Sequence, residues 1–383
     1  MVTVGVICEY NPFHLGHKKQ IDHIKAKFCG EVAVVCLMSG NYVQRGAPAI
    51  ADKSARAKAA ILSGADLVLE LPVTCALSSA EGFAHGGVAI LGTFCDYLCF
   101  GCETGDESVL MSTAGALLSP EFPPILREEL LKGVSFPAAR ASALEKLGLD
   151  ADILRRPNDI LAVEYCKAII ATGTAMKPMP IIREGNYHAE TPDPENPSAT
   201  ALRKLMLSES SCRNYLPHPE LWEDIPLHSL EAGQRAILMK LRTMTDDEFE
   251  ALPYGSEGLW RKFMHACRKE PSLDAIITAT KSKRYTATRI HRMVMCAYLG
   301  ITAQMLTEPA PYTRILAFND RGRSVLKQAK QLTACINAGE IPDSPYWELE
   351  KRCADLYGLF CIGDIEAPGA EERRRLYYHR EDL

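Results

Sequence analysis

The chain has 383 residues, of which 47% are hydrophobic and 24% charged, as in a folded globular protein of two or three domains. This composition excludes a disordered or fibrous protein. With 43 basic and 48 acidic residues the net charge is −5, so a nucleic-acid partner would have to bind a local basic patch. The N-terminus has no signal-peptide pattern and no apolar run reaches membrane-span length. We therefore expect a cytoplasmic protein with reduced thiols and no membrane partner.

The first half of the chain alternates short β-rich runs with helical stretches. We predict strands over 2–9, 32–38, 66–71, 97–101 and 179–183. Helices are predicted from about residue 16 and over 52–63, 79–91 and 159–172, where apolar residues recur at spacings of three and four. Strands that alternate with helices form βαβ units, so the sequence predicts an α/β fold with a Rossmann-like parallel sheet covered on both faces.

The second half of the chain has a different character. A proline-rich segment at 191–197 precedes a short predicted helix over 198–207. Beyond it, helical periodicity covers the ranges 222–249, 259–268, 288–299, 323–337 and 346–356, and strand signals become scarce. We therefore predict two domains: a Rossmann-like domain over 1–210 and a mainly helical C-terminal domain over 211–383.

The loop between the first predicted strand and the first helix contains His14-Leu15-Gly16-His17. Open α/β sheets bind ligands at this place, glycine permits close backbone approach, and the N–H groups of a first helical turn favour an anion. Two imidazoles there could stabilise a polyphosphate under attack at its α-phosphorus and the departing pyrophosphate. The motif alone also fits surface or metal-binding histidines. No further ligand lies at a zinc-finger spacing, so we predict no metal site, and the position after the first strand favours a nucleotide.

Several strings resemble a known family. His-x-Gly-His after a first strand resembles the nucleotidyltransferase superfamily, and the longer strings resemble the bacterial tRNA(Met) cytidine acetate ligases. These strings are EYNPFHLGH at 9–17, the run at 38–72, RRPNDILAVEY at 155–165, IIREG at 181–185, SATALRKLM at 198–206 and KRYTATRIHR at 283–292. They occur in family order over most of the chain.

The resemblance implies a nucleotidyltransferase domain and a two-step reaction. Acetate would attack the α-phosphate of ATP to give acetyl-adenylate and pyrophosphate. The acetyl group would then pass to N4 of the wobble cytidine of elongator tRNA(Met), giving N4-acetylcytidine without acetyl-CoA. We therefore expect ATP with Mg²⁺, acetate and elongator tRNA(Met) as ligands, whereas nothing in the sequence indicates a protein partner.

The resemblance also implies which residues bind the nucleotide, with His14 and His17 as the catalytic pair. They are Ile7, Cys8, Glu9, Tyr10, Asn11, Pro12, Phe13, His14, Leu15, Gly16, His17, Lys18, Lys19, Gln20, Gly101, Asn158 and Arg183. Cys8 stands where we expect a small residue such as alanine, and it adds modest bulk to the loop.

Ser198, Thr200 and Arg203 resemble the second phosphate motif of this superfamily, usually Ser-Ser/Thr-x-x-Arg at a helix start. Hydroxyl and N–H groups there, together with a guanidinium, could hold the β- and γ-phosphates. The alternative is a simple helix cap followed by an exposed arginine. Ala199 departs from the motif, which often has a hydroxyl at that position.

Polar residues follow the second predicted strand and could cover an acetate pocket or admit the cytidine. They are Asn41, Gln44, Arg45, Lys53 and Arg56, although Asp52 and Lys53 could equally be solvated charges. Glu70 lies inside an apolar strand, where it must pair with a base or cap a loop, because an isolated buried carboxylate is costly.

Cys95, Cys99 and Cys102 have a spacing similar to that of iron–sulfur ligands. They flank or occupy a predicted buried strand, where cysteine usually acts as a small hydrophobic residue. We predict no cluster.

A basic stretch in the helical half contains no acidic residue between Asp274 and Glu308. Basic side chains interleaved with a tyrosine suit phosphate contacts and base stacking, although a solvated helix face is the alternative. The predicted tRNA-binding residues are Lys281, Lys283, Arg284, Tyr285, Arg289 and Arg292, and Arg314, Arg321 and Arg323 could extend this patch.

Two other functions fit parts of the same pattern. The first is a small-molecule adenylyltransferase, which the large helical domain with its basic stretch argues against. The second is a non-catalytic RNA-binding protein, which the intact histidine motif argues against. Only the ligase requires acetate, so acetate-dependent chemistry distinguishes the three.

Overall fold

The computed structural model describes residues 1–183, 193, 197–208, 210–282, 284–329, 334–335, 341 and 344–380. Its strands are β1 (Val2–Cys8), β2 (Val32–Ser39), β3 (Tyr42–Val43), β4 (Ala47–Pro48), β5 (Leu67–Leu71), β6 (Tyr97–Cys102), β7 (Lys177–Ile182), β8 (Thr313–Asn319), β9 (Ala334–Cys335) and β10 (Tyr377–His379). Its α-helices are α1 (Leu15–Lys27), α2 (Lys53–Leu62), α3 (Val73–Ala76), α4 (Ala80–Leu91), α5 (Glu107–Leu118), α6 (Phe122–Leu131), α7 (Phe136–Lys146), α8 (Pro157–Thr172), α9 (Ala199–Leu207), α10 (Gln234–Thr243), α11 (Asp246–Glu250), α12 (Leu259–Lys269), α13 (Leu273–Thr280), α14 (Ala287–Leu299), α15 (Asp320–Gln328), α16 (Pro345–Gly358) and α17 (Ala370–Arg373). Among the helices in these ranges, none has the length and apolar composition needed to cross a membrane.

The main sheet has the strand order β10-β8-β5-β2-β1-β6-β7, and β9 pairs with β8 outside this path. Strands β5, β2, β1, β6 and β7 are parallel, whereas β8 is antiparallel to β5 and parallel to β10. The chain moves outward from β1 through β2 to β5 and then returns to the other side of β1 with β6. A crevice therefore opens beyond the carboxyl ends of β1 and β6, where open α/β sheets bind ligands.

Both faces of the sheet are covered by helices. All eight residues of β2 are buried, as expected for a central parallel strand with no solvent-facing side. One apolar layer joins Leu37 of β2 to Val88 of α4 and Val163 of α8. The opposite layer joins Ile21 of α1 to Leu202 of α9. Each such side chain contributes about 1.5–3 kcal/mol to folding by leaving water, so these layers fix the position of the crevice.

Helices α10 to α14 and α16 form a second apolar core. Ile237 of α10, Phe263 of α12 and Met293 of α14 are fully buried within it. Tyr42 of β3 belongs to the same core, and its hydroxyl donates to the Cys353 carbonyl over 3.1 Å. The β3–β4 hairpin is thus held against the helical part of the chain.

The strands and helices predicted for the first half are confirmed to within a few residues. The later half differs in part: residues 222–249 contain α10 and α11 rather than one long helix, and the helix predicted over 323–337 ends at Gln328. Strands β8 and β10 lie outside the predicted strands, although Ile315, Leu316 and Phe318 are residues that suit a buried strand. The chain after residue 210 therefore supplies strands to the main sheet, and the division at residue 210 stays a prediction.

A buried charge network lies beside β5. Glu70 is 5% exposed and pairs with Lys53 of α2, whose Nζ also lies 2.9 Å from a Glu371 carboxylate oxygen. The expected pairing of Glu70 is confirmed, and Lys53 is buried rather than solvated. Arg314 of β8 is 4% exposed and binds the Glu371 carboxylate. Its assignment to a surface patch is therefore wrong, because it lies in an interior strand and neutralises a buried acid.

The three closely spaced cysteines are buried around β6. Burial raises the pKa of Cys99 to about 12 and also raises the pKa values of Cys95 and Cys102. The predicted burial of Cys95 and Cys99 is confirmed, and their thiols are neutral at physiological pH.

Candidate active site

The crevice at the carboxyl ends of β1, β6 and β7 contains two adjoining cavities. The larger has a volume of about 550 Å³, and its lining includes Glu9, Asn11, Arg45, Glu103, Asn158, Arg183, Thr200 and Arg203. The smaller has a volume of about 220 Å³, and its lining includes His14, Gly16, Lys19, Gln20, Gly101 and Arg183. Arg183 lines both cavities, so they meet at its side chain. Taken together they have the size of a small-molecule site, and we refer to them jointly as the cleft.

His14 and His17 are held by the start of α1. His14 is the N-cap residue, and its Nδ1 accepts the Gly16 N–H over 3.1 Å. His17 Nδ1 accepts the N–H of His14 over 3.3 Å, and the two rings stack with centroids 3.7 Å apart. Because each Nδ1 accepts a hydrogen bond, the proton of each neutral ring is on Nε2. The helix start thus orients two Nε2–H donors.

Both imidazoles are neutral at physiological pH. Burial lowers the pKa of His14 to about 3, and the charges of Arg183 and Arg203 act in the same direction. Burial also lowers the pKa of His17 well below its usual value, with further contributions from His14 and Arg183. The arginines therefore supply the positive charge and the histidines supply hydrogen bonds, a combination that suits a polyphosphate.

Arg183, at the end of β7, packs over Gly101 of β6. A Cβ at residue 101 would lie 2.4 Å from Arg183 Cδ, so this packing requires glycine. Arg183 Nη1 donates to Asn158 Oδ1 over 2.8 Å, and Asn158 Nδ2 donates to Glu103 Oε1 over 2.8 Å. The structure thus brings three predicted residues together and adds Glu103, which was not predicted. Its position directly after a strand that borders the crevice is the signal that could have identified it.

The start of α9 faces the first loop. Ser198 Oγ accepts the N–H of Ala201 over 3.0 Å, which confirms the predicted helix cap. Arg203 Nη1 donates to the Asn11 carbonyl over 2.7 Å, and its Nη2 donates to Thr200 Oγ1 over 3.1 Å. Arg203 therefore lies against the first loop instead of extending into solvent. Its guanidinium and the Thr200 hydroxyl line the larger cavity.

The other residues predicted between positions 7 and 20 fall into three groups. Glu9, Asn11, Gly16, Lys19 and Gln20 line the cleft. Tyr10, Pro12 and Phe13 are buried, and Ile7, Cys8 and Leu15 are half-buried. Lys18 pairs with Asp22 over 2.7 Å on the exposed side of α1. The second group shapes and supports the loop that carries the histidines.

Arg56 of α2 ties the first loop to the loop after β2. Its fully buried guanidinium donates to the Glu9 carbonyl over 2.6 Å, the Ser39 carbonyl over 3.1 Å and the Ala51 carbonyl over 2.9 Å. The Glu9 carboxylate in turn accepts the Gln44 N–H over 2.7 Å. These bonds satisfy the buried charge and place the loop after β2 along the edge of the cleft.

The basic stretch lies at the start of α14, against the β3–β4 hairpin. A Cβ at Gly46 would lie 2.4 Å from the backbone nitrogen of Arg292, so hairpin and helix are in close contact. Arg292 Nη1 lies 3.5 Å from the Gln44 carbonyl. The hairpin residues Val43, Arg45, Ala47 and Pro48 also line the larger cavity. The part of α14 around Arg292 is therefore separated from the cleft by this hairpin alone.

The residues of the basic stretch differ in accessibility. Lys281 is exposed, and the Arg284 side chain is 63% exposed and pairs with Glu257 over 2.9 Å. Tyr285 is 9% exposed and donates its hydroxyl to the Glu257 carbonyl over 2.8 Å. Arg289 donates to the Tyr254 carbonyl over 2.7 Å and lies over the Tyr285 ring. Lys283 lies outside the described residues.

Comparison with known proteins agrees with this geometry. The family model described as HIGH Nucleotidyl Transferase matches residues 1–366. The tRNA(Met) cytidine acetate ligase of Acetivibrio thermocellus is 37% identical over 359 residues, covering 86% of each chain. That of Clostridium acetobutylicum is 37% identical over 359 residues, covering 87% of this chain and 89% of the relative. The chain belongs to the tRNA(Met) cytidine acetate ligase family.

Solved structures of this family have the same fold. The crystal structure of apo Thermotoga maritima TmcAL superimposes with a TM-score of 0.92 at 29% identity, over 100% of both chains. The crystal structure of the same protein bound with alpha-thio ATP superimposes with a TM-score of 0.89 at 29% identity. Membership of the tRNA(Met) cytidine acetate ligase family makes this protein an enzyme of the ligase class, and the predicted α/β nucleotidyltransferase fold is confirmed.

Proposed function

We propose that this protein is an ATP-dependent acetate ligase that acetylates N4 of the wobble cytidine of elongator tRNA(Met). In the first step acetate and ATP form acetyl-adenylate and pyrophosphate. In the second step the acetyl group passes to the cytidine, giving N4-acetylcytidine and AMP. The observation that carries the proposal is the pair of neutral, oriented imidazoles at the edge of a cleft that Arg183 and Arg203 line. Helix α14 packs against the hairpin that borders this cleft.

In the first step a carboxylate oxygen of acetate bonds to the α-phosphorus while the bond to the pyrophosphate oxygen breaks. Negative charge grows on the α-phosphate oxygens and on the leaving group. The Nε2–H groups of His14 and His17 donate to these oxygens, and their orientation is set before ATP binds. Arg183 and Arg203 neutralise the polyphosphate charge, helped by the Thr200 hydroxyl at the start of α9.

ATP enters with Mg²⁺ in this proposal. Glu9 and Glu103 are the carboxylates among the residues that line the larger cavity, and each already accepts a protein hydrogen bond. Mg²⁺ in nucleotide sites keeps several waters and is held largely by the substrate phosphates, so it needs few protein ligands. Two carboxylates at the cavity are therefore enough for an ion that binds and leaves together with the nucleotide.

In the second step the N4 nitrogen of cytidine bonds to the acetyl carbonyl carbon, AMP leaves, and N4 loses one proton. A mixed anhydride is reactive, so correct placement of the amine supplies much of the rate. We assign tRNA contacts to Lys281, Lys283, Arg284, Arg289 and Arg292, with the buried Tyr285 supporting Arg289. Because ATP activates the acetate, the reaction needs no acetyl-CoA.

The proposed division of labour follows the chain. Residues 1–210 bind ATP and acetate, and residues 211–383 contact the tRNA. The second range also contributes β8 and β10 to the main sheet. The β3–β4 hairpin lies between the cleft and α14, so it borders the path of the cytidine to the acetyl-adenylate. We place the reaction in the cytoplasm, with the tRNA pool.

The test is a reaction of the purified protein with ATP, Mg²⁺, isotope-labelled acetate and bulk bacterial tRNA, followed by nucleoside mass spectrometry. Labelled N4-acetylcytidine that depends on ATP and forms without acetyl-CoA is the expected product. His17→Asn should abolish it, whereas His265→Asn, which changes an exposed histidine of α12, should not. Pyrophosphate release from ATP and acetate without labelled nucleoside would show that the cytidine is not the acetyl acceptor. Nucleotide transfer without acetate would favour an adenylyltransferase.

A further inference from the structure

Away from the cleft, His228, Cys361 and Glu366 form a cluster of metal-ligand side chains. One potential ligand atom from each lies within 4.8 Å of the other two. The residues come from two segments, one before α10 and one after α16, and a β-bridge joins His228 to Cys361. The Ile362 N–H also donates to the Leu227 carbonyl over 2.7 Å, so the backbone holds these segments together.

The His228 ring is buried without a settled partner. Its side chain is 0% exposed, and neither ring nitrogen has a hydrogen bond of acceptable geometry. Its Nε2 lies 3.5 Å from a Glu366 oxygen, and its ring stacks on Tyr357 with centroids 3.9 Å apart. A fixed, buried imidazole without well-formed hydrogen bonds is costly unless something binds its lone pair.

The backbone carbonyls of Pro226 and Ile50 lie near the His228 ring. If Nε2 binds an ion, the Nδ1–H remains for one of these carbonyls, which is how ligating histidines are usually oriented.

A divalent cation suits the charges of this cluster. Bound to the Cys361 thiolate, the Glu366 carboxylate and a neutral His228 ring, it would leave the group without net charge.

We infer that His228, Cys361 and Glu366 bind a divalent ion of the zinc class, with water at the fourth position. Imidazole, thiolate and carboxylate are zinc ligands, whereas Mg²⁺ and Ca²⁺ prefer oxygen alone. Zinc–ligand bonds of about 2.0–2.3 Å place ligand atoms about 3.5 Å apart, so the cluster must contract by about 1 Å. The loop can adjust because Gly363, between Cys361 and Glu366, has the backbone freedom of glycine and already adopts φ +101°. The Glu366 side chain is 31% exposed, so water can reach the fourth position.

The inferred ion cross-links the loop after α16 to the segment before α10, so its binding stabilises the fold. Binding should raise the thermal stability of the folded chain, since an ion that binds only the folded state stabilises it by mass action. This role is independent of the proposed ligase reaction.

The experiment is a cobalt(II) titration of the full chain after removal of metals with a chelator. One equivalent should give a near-ultraviolet thiolate-to-cobalt charge-transfer band, and zinc should displace the cobalt. Cys361→Ser should remove the band, and Glu366→Gln should weaken zinc binding at least about tenfold. Cys29→Ser is the matched control, because Cys29 is an exposed thiol outside the cluster.

The readouts separate ligation from a folding defect. Glu366 is partly exposed, so Glu366→Gln should keep the circular dichroism spectrum of the parent protein. Absence of saturable cobalt or zinc binding would overturn the inference. So would a charge-transfer band that survives Cys361→Ser or disappears with Cys29→Ser, since the thiol ligand would then be a different one.

Discussion

Gly101→Ala should disrupt ATP binding by displacing Arg183. The new Cβ would lie 2.4 Å from Arg183 Cδ and 2.5 Å from its Cγ, distances that real side chains do not reach. The Arg183 backbone cannot retreat easily, because its N–H donates to the Cys102 carbonyl over 2.9 Å. The side chain must therefore rotate and lose its 2.8 Å bond to Asn158.

The expected loss follows from the phosphate contact proposed for Arg183. A hydrogen bond to a charged group contributes about 1.5–3 kcal/mol, which corresponds to ATP binding about 10- to 150-fold weaker. Isothermal titration with ATP, and the KM for ATP in acetate-dependent pyrophosphate release, would both measure it. The KM should rise more than kcat falls if Arg183 binds the nucleotide equally in the ground and transition states.

Two controls make this prediction refutable. Gly115→Ala changes a glycine of α5 whose added Cβ would meet no atom within 4 Å, and it should leave ATP binding unchanged. Arg183→Ala alone and combined with Gly101→Ala should show equal losses, because both act on one side chain. Wild-type ATP affinity in a folded Gly101→Ala protein would refute the reasoning. Fully additive losses would show that Gly101 acts independently of Arg183.

Three further results are expected. His17→Asn should abolish pyrophosphate release from ATP and acetate, because it removes a proposed hydrogen-bond donor to the α-phosphate. It should leave tRNA affinity unchanged, because His17 lies outside α14. Arg284→Ala should weaken tRNA binding and reduce the slope of log K against log salt concentration by about one. Glu257→Gln should strengthen tRNA binding, because it frees Arg284 from its ion pair. Arg127→Ala, which changes an exposed arginine elsewhere, is the control. Acidification from pH 7 to 5 should remove about 2 kcal/mol of unfolding free energy through His14, because the unfolded ring takes a proton near pH 6.5 and the folded ring only near about 3. Denaturant unfolding at both pH values measures this loss. In His14→Gln the loss of unfolding free energy between pH 7 and 5 should be smaller by about 2 kcal/mol, because the titrating ring is absent.

Each of these results has an outcome that would contradict it. Loss of tRNA binding with retained adenylation in His17→Asn would overturn the assignment of the two steps to separate surfaces. Equal effects of Arg284→Ala and Arg127→Ala would remove Arg284 from the tRNA contacts. An unchanged acid dependence in His14→Gln would show that the folded-state pKa of His14 is not the low value on which the argument depends.

The loop with His14 and His17 was predictable as part of the crevice because it follows the first strand of a parallel sheet. Gly101, Asn158 and Arg183 were expected from the resemblance to the ligase family, and the structure brings these three residues together. Glu103 was not predictable as a partner of Asn158, because the two are 55 residues apart and meet only when α8 packs beside β6. A charge pattern alone also cannot show that Arg314 is interior, since burial depends on which strand lies beside it.

The sequence by itself determined the alternation of strands and helices, the nucleotide loop and the family, because these depend on local periodicity and on residues close together in the chain. Only the tertiary structure decided that β8 and β10 return to the first sheet and that α14 lies against the β3–β4 hairpin. It also decided that His14 and His17 are neutral, because burial and the sequence-distant Arg183 lower the pKa values of both rings, with Arg203 acting on His14 as well. Such long-range contacts depend on the packing of the whole chain, which no short stretch of sequence contains.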